Sequence, residues 1–238
     1  MDKNFIKRAL HVTSFNFSAS DFQNTNFKKE IQYIFNMHFF PKFDLKNTVE
    51  SVDINKINTL IEKLKREDSA MFSKMHNYNL KGVGPGEVTL YFLVNSAHLG
   101  GGSSAGIDLI ASNGKFEVKA VDVTANGYAT NFKLGGTFNL SDIVKDLLDL
   151  KKKVNAGGEG VNKSALDAIR KKFPDELKRI EEDFAQRAYD NYFKNHDIIF
   201  IKNSTKDIGK IMAIKKVKKS DIMLDRLTSG VLKPNVKL

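Results

Sequence analysis

The feature that most restricts the fold of this chain is a short stretch, residues 107–121, that reads as a β-hairpin. Ile107-Asp108-Leu109-Ile110-Ala111 is apolar and β-prone, Asn113-Gly114 follows, and Phe116-Glu117-Val118-Lys119-Ala120-Val121 alternates. Asn-Gly favours a two-residue turn because both residues tolerate positive φ. Period-two alternation puts Phe116, Val118 and Ala120 on one face of the returning strand, and Glu117 and Lys119 on the other. The apolar company of Ile107, Leu109, Ile110, Phe116, Val118 and Val121 makes the hairpin a core element. A buried hairpin needs further strands or helices against it, and the flanking sequence supplies both.

Upstream, residues 9–17 alternate and read as a strand. From Asn26 the pattern turns helical, with Phe27, Ile31, Ile34, Phe35 and His38 at spacings of three and four. A second helix is expected over about 54–75, with Ile57, Leu60, Ile61, Leu64 and Met71 on one face and Asp53 as N-cap. Residues 81–86 hold three Gly and a Pro and are loop material. The run 87–97 is apolar almost all round, which suits a buried helix or a buried strand. Pro85 ahead of an acidic residue and glycines at 100–102 favour the helix. Downstream, a helix begins at Ser141 with Ile143, Val144, Leu147, Leu148 and Leu150 as its apolar residues. A loop covers 155–160, helical material resumes near Ser164, and Pro174 interrupts or restarts it. Residues 197–201 and 208–217 read as further strands.

The composition is 41% hydrophobic and 28% charged, an ordinary globular balance, and 18 Phe supply core volume in the absence of Trp. No apolar run approaches the roughly 20 residues of a membrane-spanning helix, and the first eight residues have no signal-peptide character. No Cys is present, which excludes disulfides, a thiol nucleophile and Cys-based zinc sites. An intracellular location is expected. The net charge is +10, and it is uneven: residues 206–238 hold nine basic residues against three acids. Such a segment suits a polyanion, since each phosphate it neutralises releases condensed counterions; it also suits a merely solvated Lys-rich tail.

The chemistry-bearing constellation lies on the hairpin. Glu117 and Lys119 share a face, and the tight turn brings Asp108 towards them. Two converging carboxylates repel each other unless a cation sits between them, and oxygen ligands favour a hard ion such as Mg²⁺. A lysine beside that ion adds positive charge where an attacked phosphate gathers negative charge. This is equipment for metal-assisted phosphodiester hydrolysis. The plainer reading is a Glu–Lys cross-strand pair contributing a fraction of a kcal/mol.

Gly106-Ile107-Asp108, followed nine residues on by Glu117-Val118-Lys119, resembles the signature of the PD-(D/E)xK nuclease superfamily. Ile107 stands where a Pro often precedes the Asp. The resemblance spans 81–121 in motif and 141–202 in element order. It implies an α/β fold: a restriction-endonuclease-like α-β-β-β-α-β core with a mixed central sheet over residues 81–214. A mainly helical N-terminal elaboration over 1–80 and a basic C-terminal tail over 215–238 would flank it. It implies a Mg²⁺-dependent DNA nuclease, expected to be an endonuclease of bacterial or phage origin, with Mn²⁺ as a substitute ion. Asp108, Glu117 and the main-chain carbonyl of Val118 would be the metal ligands. Lys119 would position or activate the attacking water, and Glu87, on the helix before the hairpin, would orient the metal's water shell or complete a second metal site.

DNA is the expected partner, with no membrane, and with a homodimer or assembly into a phage particle as further associations. The expected location is the host cytoplasm or the virion. Lys215, Lys216, Lys218 and Lys219 are the candidates for DNA-backbone contact. The glycine-rich segment 99–106 is not a Walker loop, because no Gly-Lys-Ser or Gly-Lys-Thr follows. It is either a loop at which Ser103 and Ser104 donate to phosphate or a plain connector. Residues 124–139 either contact DNA or form an irregular surface loop. Tyr189, Tyr192 and Phe193 either stack on nucleotides or belong to the core. His98 is expected to be structural or at the surface, and His11, His38, His76 and His196 lack metal-ligand spacing. The competing reading is a non-catalytic basic nucleic-acid-binding or virion structural protein.

Overall fold

The structure is a computed structural model that describes residues 40–45, 52–77, 84–99, 107–111, 114–134, 139–203 and 207–238. The expected strand at 9–17, the helix from Asn26, and Ser103 and Ser104 lie outside the described residues. The described residues form an α/β fold around an eight-stranded sheet. Its strands are β1 (His98–Leu99), β2 (Leu109–Ala111), β3 (Gly114–Val123), β4 (Tyr128–Thr130), β5 (Asp197–Lys202), β6 (Ile211–Lys215), β7 (Ile222–Thr228) and β8 (Val231–Lys237).

Strand β3 serves two arms of this sheet. Its first part pairs antiparallel with β2, which pairs with β1, and parallel with β5, which pairs antiparallel with β6. Its last residues, Asp122 and Val123, pair with β4, and β4 leads on to β8 and β7. The long β3 is possible because 114–123 contains no Pro and, after its first residue, no Gly, so nothing interrupts the ladder.

A parallel pair needs a long crossover, and here it is largely helical: α4 (Ser141–Lys153), α5 (Lys163–Lys172) and α6 (Pro174–Ala188), the last running into a π turn (Tyr189–Phe193). The other helices are α1 (Ile54–Glu67), α2 (Ser69–His76) and α3 (Glu87–Leu93). From α3 onward the order is a helix, four strands each antiparallel to the one before it (β1–β4), a helical crossover and a strand parallel to β3.

Strand β5 shows how the layers form. Its residues alternate between two cores: Ile199 and Ile201 join Phe116, Val118, Ile57, Ile61 and Leu90, while Ile198 and Phe200 join Val121, Ile143, Leu147, Ile169 and Phe184. Helices α1–α3 thus cover one face of the first arm and α4–α6 the other. Both faces being dry explains why Asp197-Ile198-Ile199-Phe200-Ile201 is nearly continuous in apolar residues. Each fully buried Ile or Phe contributes about 1.5–3 kcal/mol.

Specific polar contacts fix the helices to this frame. Asp53 caps α1 by accepting from the Asn55 and Lys56 amides at 3.1 and 3.2 Å. Asn58, on α1, donates to the Ile211 carbonyl at 2.9 Å and accepts from the Ile211 amide at 2.8 Å, which pairs the outer edge of β6 at that residue. Arg187, on α6, donates to both oxygens of Asp142 on α4 at 2.9 and 2.6 Å and to Asp183 one turn back. At the far arm, Val161 and Leu227 exchange amide–carbonyl bonds at 2.9 Å in each direction, so the loop before α5 pairs the edge of β7.

Five expectations change. Gly114, expected in a turn with Asn113, begins β3 opposite Ala111. Residues 124–139, expected to be irregular, include β4, and Ala129 and Phe132 are buried. The helix expected over 54–75 is two helices, broken at Asp68, whose extended backbone ends α1. The N-terminal elaboration is not set apart where it is described, because α1 contributes Ile57, Ile61 and Leu64 to the same core as β3 and β5. Residues 215–238, expected as a basic tail, instead form a 3-10 turn and the β7–β8 hairpin, since Ile222, Leu224, Leu227, Leu232 and Val236 alternate inward beneath the lysines. No helix among the described residues is long and apolar enough to cross a membrane.

Gly160 tests the β7 edge. It has φ +65°, and a Cβ there would stand 2.2 Å from the Leu227 carbonyl oxygen. Gly160→Ala is expected to cost at least about 2 kcal/mol in urea unfolding, because the obstacle is backbone. A cost under about 0.5 kcal/mol would mean that the loop is not held against β7.

Candidate functional site

The site forms where β2 and β3 part. Their last pair is Leu109↔Phe116, and the Asp108 amide still donates to the Phe116 carbonyl at 3.0 Å. Beyond it the backbone partner of Val118 is replaced by a side chain: the Val118 amide donates to Asp108 Oδ2 at 2.9 Å. A strand residue directs its N–H and C=O to the same side, so the Val118 carbonyl also faces the Asp108 side.

Glu117 and Lys119 follow the expected alternation and share the face covered by α4–α6. Lys119 Nζ donates to Glu117 Oε1 at 2.5 Å, and the Tyr192 hydroxyl donates to the same oxygen at 2.5 Å. Glu117 is 4% exposed. Its other oxygen, Oε2, is buried with no hydrogen-bond partner among the described residues. An unmet buried polar atom costs about 1–3 kcal/mol, so this carboxylate is poorly explained by stability alone. The Lys119 ammonium also lies 5.7 Å from the centre of the Tyr192 ring.

Glu87 enters from α3. Gly86 takes φ +86° ahead of the helix, and Glu87 Oε1 accepts the Gly84 amide at 2.6 Å, which ties the carboxylate to the preceding loop. Any Cβ on Gly86 would meet Ile201 Cδ1 at 2.2 Å. Glu87 is as buried as Glu117.

Burial pushes the Glu87 carboxyl up to about 8, with the Asp108 charge adding to the rise and the Gly84 amide opposing it. Burial likewise pushes Asp108 up to about 6, helped by Glu117 and opposed by the Val118 amide and Lys119. These mutual influences place Asp108, Glu117, Lys119 and Glu87 in one electrostatic neighbourhood. The oxygens suited to a hard cation are those of Asp108, Glu117 Oε2 and the Val118 carbonyl. Among the described residues no group of three or more His, Asp or Glu side chains is gathered as a metal site.

The remaining expected residues fall as follows. Lys215 is committed within the fold, to Asp221 at 2.9 Å and to the Lys237 carbonyl at 2.8 Å, and Lys219 donates to Gln186 at 3.0 Å. Lys216 and Lys218 are exposed. Tyr192 and Phe193 are buried rather than offered for stacking. His98 lies at the exposed start of β1. His196 packs edge-on against Tyr192 at 5.6 Å, and burial lowers its pKa.

Tyr192, expected to stack on nucleotides or to belong to the core, belongs to the core, and its hydroxyl's contact with Glu117 is the part the sequence does not show. It continues the buried stripe of Leu177, Ile180, Phe184 and Ala188 on α6, and a phenol at the end of such a stripe needs a partner for its hydroxyl.

Comparison of the chain with family models, curated proteins and solved structures finds no match.

The raised carboxyls have a consequence for the metal-free protein. Between the ordinary value of 4.5 and about 8, folded Glu87 keeps a proton that the unfolded chain releases. Stability contributed by its protonated form is therefore present below the lower value and is lost as pH rises through the upper one. Asp108 acts in the same sense between 3.8 and about 6. Urea unfolding should show Glu87→Gln more stable than wild type near about pH 8 and the difference shrinking towards about pH 5. A difference independent of pH would refute the burial of a proton at Glu87.

Proposed function

We propose that this protein is a Mg²⁺-dependent deoxyribonuclease of the PD-(D/E)xK kind that cleaves DNA as an endonuclease. The observation that carries the reading is the Val118 amide–Asp108 hydrogen bond. It fixes a carboxylate where β2 and β3 diverge, beside the Val118 carbonyl, with Glu117 and Lys119 on the same strand. The order of a helix, strands β1–β3, a helical crossover and a parallel strand supports the same reading, because it follows the α-β-β-β-α-β order of such a core, with the short β4 added between β3 and the crossover.

Asp108, Glu117 and the Val118 carbonyl would hold the Mg²⁺, or Mn²⁺ in its place. They fit it as hard oxygen donors, and the unpartnered Glu117 Oε2 is the kind of atom such an ion satisfies. Bound there, the ion supplies Lewis acidity at the scissile phosphodiester. Lys119 brings an ammonium to where the attacked phosphate gains negative charge and orients the incoming water. Glu87 retains its proton near neutrality in the metal-free protein and so limits the repulsion among the three carboxyls. Hydrolysis adds water across one ester bond: oxygen joins phosphorus, the bond to a sugar oxygen breaks, and that oxygen leaves with a proton.

DNA contact follows from where the lysines lie. Glu117 is in register with Ile198, and Ile198 with Lys215. Two strand spacings, about 10 Å, separate the backbones of Glu117 and Lys215. The exposed Lys216 and Lys218 follow directly, so positive charge flanks the site at the same end of the sheet and suits a phosphate backbone.

Purified protein is expected to nick and then degrade plasmid with Mg²⁺ and to be silenced by EDTA. Asp108→Asn, Glu117→Gln and Lys119→Ala should each lower the rate at least about 100-fold. Lys216→Ala with Lys218→Ala should weaken DNA binding and flatten its salt dependence by roughly two counterions. Folded wild type that leaves linear, circular, single-stranded and branched DNA intact with either ion would overturn the proposal and favour a non-catalytic DNA-binding role.

A further inference from the structure

We propose that Tyr192 is a positioning residue whose hydroxyl holds Glu117 Oε1, so that Oε2 is presented to a divalent cation shared with Asp108. The inference rests on the metal site proposed above and adds to it a residue from outside the hairpin. A carboxylate at the end of a Glu side chain can turn about its last bond and exchange its two oxygens. Here the two oxygens differ completely. Among the described residues Oε1 takes the Tyr192 hydroxyl and the Lys119 ammonium, while Oε2 is buried and takes no donor. The donors therefore select one orientation of the carboxylate and leave its unfilled oxygen for another partner.

Tyr192 is well placed to keep that hold. Its ring is 4% exposed and is packed edge-on by Phe193 at 4.9 Å and His196 at 5.6 Å. It sits in the π turn that ends α6, closed by the Lys194 amide on the Tyr189 carbonyl at 2.9 Å. Such wide turns are rare and recur at functional sites. Lys119 is mostly buried but mobile by chemistry, a flexible stem bearing a charge, and in the proposed reaction it serves the phosphate and the water. When it does so, Tyr192 still holds Oε1. Packing alone needs only the ring, which a phenylalanine would supply. The hydroxyl matters for the orientation of Glu117, in the way that outer partners of metal ligands set affinity.

The test is Mn²⁺ binding to metal-free protein, followed by calorimetry and by loss of the free-ion electron spin resonance signal, in wild type, Tyr192→Phe and Glu117→Gln. Wild type should bind, Tyr192→Phe should bind about 10-fold more weakly, and Glu117→Gln more weakly still. Tyr192→Phe should keep a melting temperature within a few degrees of wild type, and its cleavage rate should recover at high Mg²⁺, a defect in metal requirement rather than in the chemical step. Equal affinity in wild type and Tyr192→Phe would overturn the role of Tyr192 while leaving the nuclease reading intact. Failure of wild type to bind Mn²⁺ would overturn both.

Discussion

The parallel pairing of β3 with β5 is the constraint from which the rest of the architecture follows. Parallel neighbours cannot be joined by a turn, so the chain must leave the sheet, cross it and return in the same direction. Residues 124–196 make that journey, first through β4 and then through α4, α5 and α6. Once β3 and β5 are central, both of their faces need cover, and the two apolar clusters on either side of Ile198–Ile201 are the result. The same arrangement brings the end of α6, with Tyr192, over the face of β3 that carries Glu117 and Lys119.

Against that apolar frame, the divergence of β2 and β3 is where charge is tolerated. Glu117 and Glu87 are both buried, Asp108 is partly so, and two of the three carboxyls are driven towards their protonated forms. A fold selected for stability alone would be served better by apolar residues at these positions. One oxygen of Asp108 is satisfied by a strand amide and one of Glu117 by Lys119 and Tyr192, so these groups are held in fixed orientations. Rigid placement of costly groups is the usual physical mark of a site built to act on something else.

Much of this was legible in the chain. The alternation after Gly114 placed β3, but the expected Asn113-Gly114 turn would set Leu109 opposite Val118, whereas Gly114 lies in β3 opposite Ala111 and Leu109 faces Phe116. Asp53, Pro174 and Ser141 marked helix starts by local chemistry alone. The break at Asp68 was missed because apolar residues continue through it at nearly helical spacing. The hairpin at 222–237 was hidden by its lysines: charge drew attention to the outer face, while Leu224, Leu227, Leu232 and Val236 carried the fold. Tyr192 lies 75 positions from Glu117, and local periodicity says nothing about a partner so remote. Only the crossover brings them together.

The two exchanges at Asn58 and Val161 bear on how this molecule behaves in a crowd. A lone strand at a border offers alternating donors and acceptors to any passing chain. At Ile211 that offer is withdrawn by a helix-borne amide group, and at Leu227 by a stretch of loop backbone. Neither border can recruit a foreign strand along its whole length without first displacing a native pair, so concentration alone gives little drive towards fibrous self-association through either one.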